Sequence, residues 1–124
     1  MIIYTSYFAN YRKYKGMLEI SIARYSPKYF EGYSLINDKR FSDIVPSVEL
    51  LNLYFDKKIN RKEYAKKYIE QIKNVDFNEF YKCYNESILL CFEKFYEDKE
   101  RYFCHRGVLS YYVNKLGYEM KEFN

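Results

Sequence analysis

A chain of 124 residues, 48% of them hydrophobic and 31% charged, is long enough to bury one core, and its mixture of signs argues against disorder. Twenty-one basic against 17 acidic side chains leave a net charge of +4, which admits an anionic partner but falls short of a dedicated nucleic-acid-binding composition. No apolar run approaches the roughly 20 residues that cross a bilayer, so no membrane partner is expected.

The N-terminal MIIYTSYFANYRKYKG lacks the basic segment, long apolar stretch and cleavage site of a secretory leader. Three cysteines, Cys83, Cys91 and Cys104, form no close pairs. Reduced thiols and a cytoplasmic location are therefore the expectation. Seventeen tyrosines and no tryptophan invite thoughts of base stacking. Tyr, Lys, Asn, Ile and Phe also share A/T-rich codons, so a low-GC genome is the stronger explanation of the excess and is compatible with a phage or mobile-element origin.

In chain order, IIYTSYF (2–8) and LEISIAR (18–24) read as strands, the second with Leu18, Ile20 and Ile22 on one face. The connection between them is short for a parallel crossover, so their pairing is open to an antiparallel arrangement. Residues 27–46 form a long irregular stretch of the kind that often carries function. PSVELLNLYFDKK then opens a helix at Pro46 and Ser47 and places Val48, Leu51 and Phe55 at helical spacing for burial. NRKEYAKKYIEQIKNV follows, with Asn60 as N-cap, Glu63 at the capping-box position, and Tyr64, Tyr68, Ile69 and Ile72 on one stripe. DFNEFYKCYN predicts a shorter helix capped by Asp76, with Phe77, Phe80 and Tyr81 inward and Cys83 as a small buried residue.

ILLCF (88–92) is a continuous apolar run, the mark of a strand covered on both faces. A final helix opens near Cys104 and carries Val108, Leu109, Tyr112, Val113 and Leu116 on one stripe before Gly117 stops it. YEMKEF (118–123) is a weaker fourth strand. These elements predict a single α/β domain over residues 1–124, a small Rossmann-like fold with a mostly parallel sheet of about four strands and helices on its faces.

Ligands of open α/β sheets settle outside the carboxyl ends of the strands. Those ends are Tyr7, Phe8 and Asn10 after the first strand, Arg24 after the second, and Cys91, Glu93 and Lys94 after the third. The last helix adds Cys104, His105 and Arg106, where unpaired backbone N–H groups and a partial positive charge favour an anion. The expected guest is a phosphate-containing, nucleotide-like small molecule, with Arg24 and Arg106 on the phosphate, Tyr7 or Phe8 against a base and Glu93 on a sugar hydroxyl. Sequestration or degradation of a nucleotide signal would suit such a site. The bland alternative is that Arg106 pairs with Glu93, or Arg24 with a nearby carboxylate, and the cluster only ties the sheet to the helix.

The same residues bear on other chemistries. A phosphatase-type loop needs Cys, five residues, then Arg, but the count from Cys91 ends on Glu97 and none fits from Cys104. Cys91, Cys104 and His105 make three ligands with one wide gap, short of a structural zinc set, so no metal and no cofactor are expected. A thiol- or carboxylate-dependent enzyme of unknown reaction stays open, since Cys104 at a helix start beside His105 and Arg106 would have a depressed pKa. Nucleic-acid binding is a separate alternative, resting on Arg12, Lys13 and Lys15 near Tyr11 and Tyr14, and on Lys57, Lys58, Arg61, Lys62, Lys66 and Lys67. Homo-oligomerisation is left open.

LLCFEK (89–94) followed by CHRGVLSYYVNKLGYEMKEF (104–123), together with IYTSYFANYRKY and ISIAR, resembles the DUF488 family of small uncharacterised proteins, with Phe92 where tyrosine is common. The resemblance implies a small α/β sandwich and a shared site at Arg24, Cys91, Glu93, Cys104, His105 and Arg106, without an established activity. The loop KFYEDKERYF is longer here than the family's usual connection.

Overall fold

The computed structural model describes residues 1–92 and 105–123. Its strands are β1 (Ile2–Tyr7), β2 (Leu18–Ser21), β3 (Tyr33–Ser34), β4 (Ser87–Cys91) and β5 (Glu119–Glu122). Its helices are α1 (Tyr11–Tyr14), α2 (Val48–Phe55), α3 (Arg61–Ile72), α4 (Phe77–Tyr84) and α5 (His105–Lys115). The strands form one sheet in the order β3-β2-β4-β1-β5, and every pairing is parallel.

The apolar run that reads as a two-sided strand becomes β4, at the centre of the sheet with all five residues buried. Alternation along it sends Leu89 and Cys91 into the larger core with α3, α4 and α5, and Ile88 and Leu90 into a smaller cluster with Phe8 and Tyr14. The two faces are thus covered unequally, by four helices on one side and by α1 and its flanking loops on the other.

Among the described residues, five parallel strands bear out the expected small α/β domain with its mostly parallel sheet of about four; the additional one is Tyr33–Ser34, which pairs with β2 inside the stretch read as irregular. Two residues are too few to show any alternation. The first two strands are not partners at all: β4 lies between them and pairs in parallel with each. The short connection suffices because it crosses only one strand.

Helix starts follow the sequence signals. The Asn60 side chain accepts from Glu63 N at 2.8 Å while Glu63 Oε1 accepts from Asn60 N at 3.1 Å, a complete capping box. Ser47 and Asp76 cap α2 and α4 with one bond each, their side chains accepting from Leu50 N and Glu79 N at 3.1 Å. Tyr64, Tyr68 and Ile72 are buried as their spacing predicts, and so are Phe77, Phe80 and Tyr81. Gly117 adopts φ +98° after α5, the left-handed conformation expected of it.

The stripe on α2 behaves differently. Val48 and Phe55 are 44% and 66% exposed, Leu51 is half-buried, and the residue in the core is Leu50. Leu116, placed in the last helix's stripe, lies beyond its end and is exposed. Cys83 is also exposed rather than buried. At about 100° per residue it sits roughly 110° from the centre of the Phe77, Phe80, Tyr81 and Tyr84 stripe. Among the described residues, no helix is long and apolar enough to cross a membrane.

Candidate functional site

An all-parallel sheet puts every strand's carboxyl end on one edge. There Tyr7 of β1 is in register with Cys91 of β4, and Ser21 of β2 with Leu90. The chain leaving β1 enters α1 on the minor face, whereas α5, the helix that follows β4, packs on the major face. Adjacent strands whose successors go to opposite faces leave a crevice between their ends.

A cleft of about 220 Å³ opens at this edge. Ala23, Arg24 and Tyr25 line it from the chain after β2, Cys91 and Phe92 from the end of β4, and His105 from the first turn of α5. Its opposite wall is Leu51, Tyr54 and Phe55 of α2 with Tyr64 of α3. The α2 stripe predicted as core is therefore a cleft wall. Tyr54 stands 5.1 Å from Tyr64 and 6.2 Å from Phe55 between ring centroids, so the wall is a run of aromatic faces.

Arg24 is half-buried and donates from Nε to the Pro46 carbonyl at 2.9 Å. That bond fixes the guanidinium plane, and among the described residues neither Nη group has a protein acceptor.

His105 is buried, with its ring against Tyr68 at 5.6 Å and Nε2 2.9 Å from the Ile22 carbonyl. Burial is the main cause of a pKa lowered to about 4, the Ile22 bond raises it, and the Arg106 charge lowers it further. The ring is neutral at pH 7. A carbonyl only accepts, so Nε2 carries the proton and Nδ1 the lone pair.

Arg106 is fully buried. Its Nε and Nη2 donate to Glu122 Oε1 and Oε2 at 3.0 and 2.9 Å, its Nη1 lies 2.8 Å from Cys91 Sγ, and its charge stands 6.0 Å from the Tyr7 ring centroid. Thr5 Oγ1 donates to the same Glu122 Oε1 at 2.7 Å. The bidentate pair joins the start of α5 to the end of β5, in the tying role that the sequence reading assigned to an Arg106–Glu93 pair. Among the described residues, the acid in that pair is Glu122.

The fold thus brings Arg24, Cys91 and His105 to one cleft, with Arg106 and Tyr7 behind Cys91. It sends Phe8 to the minor face, buried against Phe30 and Phe92. Asn10 bonds to Ser6 Oγ and the Phe123 carbonyl, away from the cleft lining. Glu93, Lys94 and Cys104 lie outside the described residues. The expectation of reduced thiols fails at Cys91, which is disulfide-bonded, while Cys83 is free. Sequence spacing counts residues along the chain, whereas pairing depends on approach in space.

Sequence reasoning missed Glu122 and the aromatic wall. Phe55 and Tyr64 were visible only as apolar residues at helical spacing, which a core also requires, and Tyr54 lay outside both predicted stripes. Among the described residues, no group of three or more His, Cys, Asp or Glu side chains is arranged to hold a metal ion.

No curated protein and no solved structure matches the chain. A family model described as the active DUF488-N3 subclade, DUF488-N3a, does match, over residues 3–117. With nearly its whole length covered, the chain belongs to the DUF488 family, in that subclade.

Proposed function

We propose that the chain binds a phosphate-bearing, nucleotide-like small molecule in the cleft at the carboxyl edge of the sheet, with Arg24 on the phosphate and the aromatic wall against the base. The observation that carries this reading is the convergence of one acceptor-poor guanidinium with Tyr54, Phe55, Tyr64 and Phe92 around a single hollow. Phe55 and Phe92 are exposed there, and such aromatic surface is unfavourable in water and is relieved by a flat apolar guest. Each stacked base contributes about 1–3 kcal/mol, and a charged hydrogen bond about 1.5–3 kcal/mol. A cleft of about 220 Å³ is below the usual 300–1,000 Å³ of drug-sized sites, which favours one nucleotide unit over a dinucleotide. Arg106, engaged by Glu122, serves as a positioning residue for the start of α5 rather than as a phosphate ligand.

Turnover, rather than simple retention or sequestration, is a second reading. It is supported by the neutral His105 at the cleft wall and by the word "active" in the subclade's description. Thiol chemistry at Cys91 would first require reduction of its disulfide.

The test is a thermal-shift panel of nucleoside 5′-monophosphates followed by mass spectrometry of the incubated ligand. At 100 times Kd a ligand adds about 2.7 kcal/mol, which at about 2.1 cal/mol/K per residue raises Tm by about 10 °C for this length. Arg24→Ala should weaken binding at least tenfold. A changed ligand mass establishes turnover; no shift with any nucleotide overturns the reading.

A further inference from the structure

A second hollow, a shallow groove of about 1060 Å³, runs along the α2–α3 connection. Lys57, Lys58, Arg61 and Lys62 line it, and Tyr54 and Phe55 line both this groove and the aromatic cleft. Glu63 is the one acid in its lining, and its carboxylate is held by the Asn60 backbone in the capping box. Among the described residues, no carboxylate lies within ion-pair distance of Lys57, Lys58 or Lys62, and all three are exposed. A line of unneutralised lysines therefore leads to an exposed aromatic ring, Phe55, at the lip of a pocket sized for one nucleotide unit.

From this continuity we infer that the physiological ligand is a single-stranded nucleic acid, one of whose nucleotides enters the cleft while the neighbouring phosphates lie along Lys57, Lys58 and Lys62. The inference rests on the proposed nucleotide-binding reading and names its substrate class. A free mononucleotide uses Arg24 and the cleft alone and leaves the lysine groove idle. A duplex keeps its bases stacked inside and offers no ring to the cleft without flipping, whereas a single strand presents base faces and phosphates together. Phe55 is the stacking platform at the turn from groove to cleft.

Fluorescein-labelled single-stranded DNA and RNA octanucleotides, titrated by fluorescence anisotropy beside thermal shifts with the mononucleotides, test this. Three lysines and Arg24 on four phosphates predict a log–log salt slope of about −2.8, a fall of about 50-fold between 50 and 200 mM salt. In Lys57→Ala/Lys58→Ala/Lys62→Ala the slope drops to about −0.7 and octamer affinity falls at least tenfold at 50 mM salt, while the mononucleotide shift is unchanged. The inference is supported if either octamer binds at least tenfold tighter than any mononucleotide and loses that margin in the triple variant. It is overturned, with the cleft reading intact, if mononucleotides stabilise the protein but octamers bind no tighter, or if the triple variant binds octamers like the wild type. Equal competition by a matched duplex or by polyglutamate overturns it in favour of a general polyanion or acidic-protein surface. Binding of neither octamers nor mononucleotides overturns it together with the nucleotide reading.

Discussion

Replacing Glu122 by alanine would leave the Arg106 guanidinium buried at the junction of α5 and the sheet without its bidentate partner. The Arg106 side chain is 0% exposed and that of Glu122 10%, so water reaches neither charge easily. Removing one partner of such a pair costs about 3–5 kcal/mol, because the remaining charge stays desolvated. The Cys91 sulfur and the Tyr7 ring remain beside Arg106, but a sulfur acceptor and a ring quadrupole 6.0 Å away replace little of a carboxylate. Unfolding entropy of about 2.1 cal/mol/K per residue gives about 0.26 kcal/mol/K for this chain, so Tm should fall by about 12–19 °C. Arg106→Met combined with Glu122→Leu should lose less than Glu122→Ala alone, since neither charge then remains to be solvated. Thermal melts followed by circular dichroism read both. A Glu122→Ala melt within 3 °C of wild type, or a double variant that melts below the single one, refutes the account of Arg106 as a charge held in place by Glu122.

The imidazole of His105 carries a pH prediction. Its pKa is about 4 when folded and 6.5 when exposed, so between those values the unfolded chain binds a proton that the folded chain refuses. Stability is fully present above pH 6.5 and is lost as pH falls toward 4, by about 3 kcal/mol from this group. Urea titrations across that window should show the loss in the wild type and a flatter profile in His105→Gln; equal slopes in the two proteins would refute the assignment. Asp38, held down to about 2 chiefly by its hydrogen bonds to Arg40, acts only in a lower window, as pH falls from 3.8 toward 2. Asn60→Ala removes the Asn60 half of the α3 capping box and should cost about 1 kcal/mol in urea unfolding with an unchanged m-value; no loss would show that the cap is redundant.

Much of the architecture was legible because its signals are local. Capping residues at Ser47, Asn60 and Asp76 satisfy the first N–H groups of their own helices whatever the rest of the chain does. The unbroken apolar run ILLCF (88–92) demands burial on both faces and so predicts the strand that becomes β4. Gly117 marks a left-handed stop that a β-carbon would disfavour. From these, with the motif around Cys91 and His105, the sequence alone determined an α/β protein and its family, and pointed to the edge of the sheet where the cleft opens.

What surrounds the site was decided by tertiary structure. An apolar stripe at helical spacing is equally suited to a core and to a cleft wall, and only the placement of α2 across from Arg24 and His105 turned Leu51, Tyr54 and Phe55 into the latter. Glu122 meets Arg106 because β5 lies beside β1, a pairing between residues 117 positions apart at Thr5 and Glu122 that no local pattern records. The two-residue β3 exists only because β2 offers it an edge. Local free energies choose helix, strand and turn, but which charge neutralises which, and which ring faces water, depends on contacts that form only once distant segments are packed together.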